Sequence, residues 1–247
     1  MDPFEPWVEG LFQRHLRTLT FQEIRKGLEA VSRVYVARRD RLGDGAALDG
    51  AGKRAAFAVF FGPLHFLVVR EAVRGLGAAD PPPKRIVELG AGTGASGAAW
   101  ALEAGATLEG VERSGWAVEE ARTNLRALGV RGRIAPGDLL RARLPGAGAG
   151  ILLAYTVNEL DERARAALRP RLFEAARSGA RVLVIEPIAT RLLPWWSEWA
   201  AAFASEGGRA DEWRFRPALP ERLRTMDRGA GLDHRELTAR SLYLAGR

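Results

Sequence analysis

Short apolar segments alternate with longer amphipathic ones between residues 85 and 186, and this alternation sets the expected architecture. The central apolar segments lack internal polar residues, which is typical of strands that helices cover on both faces. The predicted strands are 85–88, 107–112, 132–135, 150–155 and 180–186, and the predicted helices between them are 95–103, 115–128 and 162–177. Strands that alternate with helices of this length form a doubly wound, Rossmann-like parallel sheet, so we expect an α/β fold.

The residues before the first strand follow a helical pattern instead. Thr20 and Glu23 form a capping box, in which each side chain satisfies a backbone donor of the other, and this predicts a helix start. Apolar residues then recur at helical spacing until Gly43, where we expect the helix to end. A further helix is predicted from about residue 53 to 74, with a kink or break at Pro63.

The flanking patterns lead to a division of the chain into two parts. We expect residues 1–80 to form a helical N-terminal cap, and residues 81–247 to form the main domain. Within that domain, residues 188–232 form a tryptophan-rich insertion. The alternating segment 236–244 predicts a strand at an edge or penultimate position of the sheet.

A glycine-rich turn follows the first predicted strand and is the most informative feature of the chain. Gly90, Gly92 and Gly94 lack a Cβ, which permits a tight turn and lets a ligand approach the backbone. Gly90 and Gly92 fit, together with Ala95, the dinucleotide pattern G-x-G-x-x-A, a weak signal by itself. The three glycines serve a second pattern as well. With Glu88 they also fit E-x-G-x-G-x-G, which resembles motif I of the class I S-adenosylmethionine-dependent methyltransferases.

Two acids further along the chain bear on the choice between these cofactors. Glu112 ends the second predicted strand, where a carboxylate can accept hydrogen bonds from the ribose hydroxyls of either cofactor. Asp138 follows the third strand in a Gly-Asp pair that resembles the adenine-binding element of methyltransferases. There Asp138 would accept from the adenine amino group, and Leu139 would offer its backbone N–H to the ring. Each acid also fits a helix cap or a solvated loop residue, but the order and spacing together favour S-adenosylmethionine.

The segment after the fourth predicted strand supplies the candidate catalytic side chains, because in class I methyltransferases it lines the methyl-transfer site. We expect Tyr155, Asn158 and Glu159 to orient the acceptor or take a proton, and Glu159 to be the only one of them ionised near pH 7. Asn158 equally fits a cap of the next helix, and Glu159 a surface residue. Ligands bind at the carboxyl ends of parallel strands, so these side chains are expected beside the glycine turn.

Three segments together resemble the ribosomal small-subunit methyltransferase family that includes the mitochondrial small-subunit assembly proteins. They are ELGAGTGASGAAWA (88–101), GVERS (110–114) with AYTVNEL (154–160), and VLVIEP (182–187). The resemblance implies S-adenosylmethionine as cofactor, an RNA acceptor and the small ribosomal subunit as partner. The residues expected to bind the cofactor are Glu88, Gly90, Ala91, Gly92, Gly94, Glu112, Arg113, Asp138, Leu139 and Tyr155. Family members commonly carry a cysteine cluster that holds an iron–sulfur centre, and this chain has no cysteine.

Composition narrows the remaining possibilities. The three histidines are widely spaced and there is no cysteine, so we expect no disulfide framework, no metal site and no cysteine nucleophile. The N-terminus lacks a signal-sequence pattern, and no apolar run approaches the ~18–20 residues of a membrane span, so we expect a cytoplasmic protein with no membrane partner. The net charge of +7 favours an RNA partner only in part, because it is spread evenly along the chain.

Three functions stay open on these residues. The first is an RNA or ribosome-linked methyltransferase, as the family resemblance implies. The second is a small-molecule methyltransferase whose aromatic or heterocyclic acceptor stacks on Trp195 or Trp196. These tryptophans, with Trp199, equally fit the buried face of an amphipathic helix. The third is a non-catalytic ribosome assembly factor that binds the methyl donor.

Overall fold

The computed structural model describes residues 2–37, 49–189 and 193–246. The predicted helix end at Gly43 lies outside these residues. Two compact units are present, one formed by Met1–His65 with Arg216–Leu237 and the other by Phe66–Phe215 with Thr238–Arg247. We call them the helical unit and the sheet unit. The division into a cap and a main domain near residue 80 stays a prediction.

The strands and helices between residues 85 and 186 follow the predicted order. The helices are α1 (Phe4–His15), α2 (Phe21–Ala37), α3 (Ala51–Ala56), α4 (Gly62–Leu76), α5 (Ala95–Ala104), α6 (Gly115–Leu128), α7 (Glu162–Arg177), α8 (Trp196–Ser205) and α9 (Glu221–Gly229). The strands are β1 (Arg85–Leu89), β2 (Thr107–Glu112), β3 (Gly132–Pro136), β4 (Ala149–Ala154), β5 (Arg181–Glu186), β6 (Arg209–Phe215) and β7 (Leu237–Leu244).

The sheet has seven strands in the order β3-β2-β1-β4-β5-β7-β6. The first five strands pair in parallel, and β7 pairs with β5 in the antiparallel direction. This arrangement confirms the predicted Rossmann-like α/β sheet and the penultimate position of the last strand. Strand β6 was not predicted, because its alternation of exposed and half-buried residues lacks the apolar run that identified the other strands.

In the helical unit the capping box is formed as predicted. The backbone N–H of Thr20 donates to Oε2 of Glu23 at 2.7 Å, and the N–H of Glu23 donates to Oγ1 of Thr20 at 3.2 Å. Helix α9 lies against the N-terminal helices, where Arg222 forms an ion pair with Glu9 at 3.1 Å. The segment between β6 and β7 therefore folds back on the N-terminal helices.

The second predicted helix does not break at Pro63. A π-helical stretch, Phe57–Phe61, joins α3 to α4, so that Ala51–Leu76 is one continuous helix. Its length and mean hydropathy of 1.5 would suffice to cross a membrane, yet 72% of the apolar window is buried inside the protein, which is typical of a core helix. The expectation that no apolar run approaches the length of a membrane span was therefore wrong, because Ala51–Leu76 contains a window of that length and of this mean hydropathy.

The tryptophans of the insertion belong mainly to the core of the sheet unit. Trp195 and Trp199 are 7% and 2% exposed, and they contact each other edge to face with ring centroids 5.2 Å apart. Half-buried Trp196 lies under the guanidinium of Arg240, whose Cζ is 4.8 Å from the ring centroid. The buried-face alternative is therefore correct for Trp195 and Trp199.

Candidate active site

The glycine turn joins β1 to α5 at the carboxyl edge of the sheet. Gly90, Gly92 and Gly94 have φ angles of +70°, +51° and +71°, in the left-handed region that favours glycine. The backbone N–H groups of Gly90 and Ala91 both donate to the carbonyl of Val111 at 3.0 Å. These two bonds tie the turn to β2, so its backbone is held in place before any ligand binds.

The three glycines differ in what surrounds them. A Cβ on Gly90 would lie 2.6 Å from Cγ2 of Thr156, and a Cβ on Gly94 would lie 3.1 Å from Cβ of Ala121. A Cβ on Gly92 would have no atom within 4 Å. Packing thus requires glycine at position 90 and leaves little room for a Cβ at position 94, whereas Gly92 borders open space that a ligand can occupy.

Glu112 lies at the end of β2 and is bound to the turn. Its Oε2 accepts a hydrogen bond from the N–H of Gly92 at 2.9 Å, and its Oε1 accepts from the N–H of Ser114 at 2.8 Å. A carboxylate oxygen has two acceptor positions, so each oxygen retains one for a further donor. The carboxylate is therefore oriented at the turn with capacity for two hydroxyl groups.

Glu88 is the last but one residue of β1 and is a buried acid, with 1% of its surface exposed. Burial raises the pKa of Glu88 well above its usual range, while the backbone N–H of Gly97 acts in the opposite direction and the charge of Glu112 adds to the rise. Its Oε2 makes no hydrogen bond within the described part of the chain. Such an atom is costly to bury without a partner, which is a reason to look for a ligand donor nearby.

Asp138 and Leu139 follow β3 as predicted. Asp138 is exposed, and its Oδ1 accepts from the N–H of Leu140 at 2.9 Å, so the side chain caps the short 3₁₀ turn Leu139–Arg141. Leu139 is half-buried at the start of this turn. Capping uses one carboxylate oxygen, so the capping and adenine-binding interpretations of Asp138 are compatible.

Tyr155 is the one residue other than glycine with a positive φ, +58°, among the described residues. Its N–H donates to the carbonyl of Ile185 at 2.7 Å, which holds the strained backbone in place. Burial, and after it the charge of Glu186, raise the pKa of Tyr155. The phenol therefore stays protonated and can donate a hydrogen bond.

A second buried acid, Glu186, lies at the end of β5 and was missed by the sequence analysis. Its Oε1 accepts from the backbone N–H of Asn158 at 3.1 Å, and the residue is fully buried. The sequence feature that could have indicated Glu186 is an acidic residue at the end of an otherwise apolar strand. Oδ1 of Asn158 is buried and has no hydrogen-bond partner among the residues described, so Asn158 does not use this oxygen as a helix cap. Asp161 caps α7 instead.

Glu159 is half-buried, not a fully exposed surface residue. Burial raises its pKa to about 7, the charge of Arg113 opposes this rise, and the charge of Glu112 adds to it. Glu159 is therefore only partly ionised near pH 7, because desolvation favours the neutral acid, and it stays the one of the three candidate residues that can carry a charge there. An acid that is about half ionised at neutral pH suits proton transfer.

Comparison with solved structures identifies the fold. The structure of the mitomycin 7-O-methyltransferase MmcR matches with a TM-score of 0.53 and 19% identity, covering 100% of this chain and 74% of that chain. The methyltransferase domain of the bacterial protein CtHen1 matches with a TM-score of 0.50 and 14% identity, covering 74% of this chain and 97% of that chain. No family model and no curated protein matches the sequence.

The protein thus has the class I methyltransferase fold, with the sheet order and antiparallel β7 described above. Identities this low show the fold alone. The narrower resemblance to the ribosomal small-subunit family, the cytoplasmic location and the roles of the individual site residues stay predictions.

Proposed function

We propose that this protein is an S-adenosylmethionine-dependent methyltransferase. The observation that carries the proposal is the carboxylate of Glu112, fixed to the N–H of Gly92 beside the open space at that glycine. The ribose hydroxyls of the donor would bind this carboxylate, and Asp138 with Leu139 would hold the adenine.

The charge of the candidate site favours this donor over NAD. Glu112 lies at the glycine turn, and its negative charge adds to the rise in the pKa of Glu88 and of Glu159, which favours their neutral forms. S-adenosylmethionine carries a positive sulfonium and an ammonium group, whereas NAD carries a negative pyrophosphate. The carboxylate of Glu112 attracts the former and repels the latter.

Two buried oxygens also fit a ligand that donates hydrogen bonds. Oε2 of Glu88 and Oδ1 of Asn158 are buried acceptors without a protein partner in the described ranges. The ammonium group of the donor is a source of N–H groups for acceptors of this kind. Arg113 is exposed next to Glu112, and in this proposal it moderates the negative charge of the site.

The proposed mechanism assigns positioning and proton transfer to the protein. S-adenosylmethionine, when bound, supplies an already activated methyl group on a positively charged sulfur. Tyr155 and Asn158 orient the acceptor, and positioning of this kind supplies much of the rate enhancement. Glu159, in its ionised form, accepts the proton that the acceptor loses.

RNA is the first candidate acceptor. The segment 154–160, together with the segments 88–101, 110–114 and 182–187, resembles the ribosomal small-subunit methyltransferase family. The net charge of +7 also favours an anionic partner. This net charge already counts the acids, so surface pairs such as Arg177–Glu206 and Arg209–Asp211 contribute nothing to it. RNA binding would therefore depend on the remaining arginines.

A small molecule is the second candidate acceptor. The neighbour that covers the whole chain is an enzyme named for methylating mitomycin at an oxygen, and this analogy extends over both the helical and the sheet residues. Trp195 and Trp196 were the predicted contacts for an aromatic acceptor. Trp195 lies in the core, so such an acceptor would contact Trp196.

Calorimetric titration with S-adenosylhomocysteine, and with NAD as control, tests the proposal. We expect affinity for S-adenosylhomocysteine of about micromolar strength and no binding of NAD. Binding of NAD alone would overturn the proposal. Binding of S-adenosylhomocysteine without transfer of labelled methyl groups to ribosomal RNA or to hydroxylated aromatic compounds would favour the non-catalytic assembly factor.

A further inference from the structure

In the part of the chain that the structure describes, one face of the sheet is uncovered at strands β2 and β3. Arg133 on β3 lies directly opposite Glu109 on β2, and both residues are exposed. The next residue of β3, Ile134, points to the opposite face, where α6 packs on β3, and it is 1% exposed. Helix α6 therefore covers β3 on one side, and the other side is open to solvent.

The connection from β3 to β4 crosses this face but covers only part of it. Strands β2 and β1 lie between β3 and β4 in the sheet, so residues 137–148 have to pass over them. Connections between parallel strands usually contain an α-helix, whereas this one contains only the 3₁₀ turn Leu139–Arg141. A Cβ on Gly137 would lie 2.9 Å from Cγ2 of Val111, so the connection packs on the end of β2 and leaves Glu109 exposed.

Five exposed arginines lie on this face or at its borders, and we call them the arginine surface. They are Arg131 and Arg133 at β3, Arg85 at the start of β1, and Arg141 and Arg143 on the connection to β4. Arg85 belongs to the same face as Glu109, because its partner on β2 is Thr107, two residues before that acid. The side chains of the five arginines form no ion pair or hydrogen bond with any described residue, so their charges are available to a partner.

The described acidic residues of this region are fewer than the arginines. They are Glu109 on the face, Asp138, which caps the 3₁₀ turn through Oδ1, and Glu174 on α7. Glu174 lines a pocket of about 290 Å³ together with Arg143 and Arg171, so the wall of this pocket carries two positive charges and one negative charge. The region keeps an excess of positive charge, which attracts an anionic partner.

The arginine surface lies close to the proposed donor site. Arg133 lies opposite Glu109, which precedes Glu112 by three residues on β2, so the distance along the strands is about 10 Å. Arg141 ends the turn that Asp138, the proposed adenine-binding residue, caps. A partner that extends over more than about 10 Å can therefore contact the arginines and reach the donor site.

We propose that the arginine surface binds the phosphate backbone of an RNA acceptor. The inference rests on the proposed function for the role of this RNA as acceptor, whereas the binding itself needs no methyl donor. The guanidinium group of arginine presents N–H donors in a fixed fork that matches phosphate oxygens. The described strand residues of this face include no aromatic ring on which a base could stack, so the binding depends on charge and little on base sequence.

Fluorescence anisotropy of a short labelled oligouridylate, titrated with the full chain at several salt concentrations, tests the surface. Each phosphate contact of a single strand contributes about −0.7 to the slope of the logarithm of the binding constant against the logarithm of the salt concentration. We expect binding at low salt and a slope of about −3 to −4, as five arginines imply. Absence of binding at low salt, or a slope near zero, would overturn the proposal. No methyl donor is present, so a chain that binds S-adenosylhomocysteine but not RNA would refute this surface and leave the proposed donor site intact.

Two double variants with the same loss of charge test where the RNA binds. Arg131→Ala with Arg133→Ala removes two arginines from the surface, and it should make the slope shallower by about 1.4 and weaken binding at low salt about tenfold. Arg122→Ala with Arg126→Ala removes two exposed arginines from α6, on the covered face, and should weaken binding much less. Equal losses in the two double variants would show that RNA responds only to the net charge of the protein, and would refute the surface.

A substitution that should strengthen binding covers the case in which the arginine variants do not fold. Glu109→Gln removes the acid opposite Arg133 and should tighten RNA binding about threefold, whereas Glu119→Gln, on α6, should have no such effect. Equal affinities of Glu109→Gln and the wild-type chain would contradict the surface. Binding to phosphatidylserine vesicles without binding to RNA would make a membrane the partner and would also overturn the proposal.

Discussion

The carboxylate of Glu112 accepts a hydrogen bond from the backbone N–H of Gly92 at 2.9 Å, across 20 residues of sequence. The bond joins the end of β2 to the glycine turn after β1. It places an anionic acceptor beside a backbone position at which a Cβ would meet no atom within 4 Å. In the proposed function, the nucleoside part of the methyl donor binds at Glu112 and Gly92.

The space beside Gly92 is open, so a substitution there should weaken ligand binding in addition to lowering the stability of the fold. Gly92→Ala should cost about 1–2 kcal/mol of stability because φ is positive, and its methyl group should also weaken binding of S-adenosylhomocysteine. Gly105→Ala is the matched control, since Gly105 has a φ of +63° and equally open surroundings but caps α5. Denaturant unfolding and calorimetry should show similar destabilisation and weaker binding only for Gly92→Ala. Equal affinities in the two variants would contradict a ligand at Gly92.

Asp138 is expected to recognise the adenine amino group. The wild-type chain should bind S-adenosylhomocysteine more tightly than S-inosylhomocysteine, which has a carbonyl in place of that amino group. Asp138→Ala should weaken the first ligand, leave the fold intact and shrink the difference between the two. Asp138→Asn retains an acceptor oxygen that can cap the turn Leu139–Arg141. It should therefore lower the affinity for S-adenosylhomocysteine less than Asp138→Ala does. If the ligand preference persists in Asp138→Ala, the residue serves only as a cap.

Glu159 should make stability depend on pH. Burial raises its pKa from 4.5 to about 7, so between these values the folded state holds a proton that the unfolded state releases. The free energy of unfolding is therefore expected to decrease as pH rises from about 4.5 through about 7. Above that range, Glu159 causes no further decrease. Urea midpoints measured from pH 4.5 to 8 on the wild-type chain and Glu159→Gln would show the effect.

The comparison between these two chains isolates Glu159 from the buried Glu88, whose raised pKa acts in the same direction in both. The midpoint of Glu159→Gln should decline less over this range. A decline of the same size in both chains would show that Glu159 titrates at its ordinary value, and would remove the reason to assign it proton transfer.

Burial predicts different costs for two neighbouring tryptophans. Trp199→Ala should lose about 3–5 kcal/mol of stability, because the ring lies in the core and stacks on Phe203 at 6.3 Å. Trp196→Ala should lose less, because the ring is only half-buried and its contact with Arg240 is worth about 0.5–2 kcal/mol. Chemical denaturation of both variants measures the order. A larger loss for Trp196→Ala would show that the core does not depend on Trp199 as described.

The sheet was predictable because each central strand carries its own signal. The run that ends in Glu186 and the run that precedes Tyr155 are apolar, and caps such as Asp161 mark the helices between them. Strand β6 was not predictable in this way. It is an exposed edge strand that is held by tertiary contacts, such as the bond from Nε1 of Trp213 to Oγ of Ser241 at 2.9 Å.

The sequence predicts those features of the site that depend on adjacent residues. It does not predict the features that depend on burial in the folded chain. The positive φ of Gly92 follows from the glycine pattern itself. The buried Glu186, the strained Tyr155 and the shifted pKa of Glu159 depend on neighbours that only the folded chain brings together.

The affinities of Glu112→Ala and Glu109→Ala for S-adenosylhomocysteine would show whether the methyl donor binds at the glycine turn. Glu109 is an exposed acid on the same strand, so the two variants lose the same charge from β2. We predict binding weaker by about 10–100-fold for Glu112→Ala, from the loss of hydrogen bonds to a charged group. Wild-type affinity is expected for Glu109→Ala. Unchanged affinity in a folded Glu112→Ala variant would contradict the placement of the donor at the glycine turn.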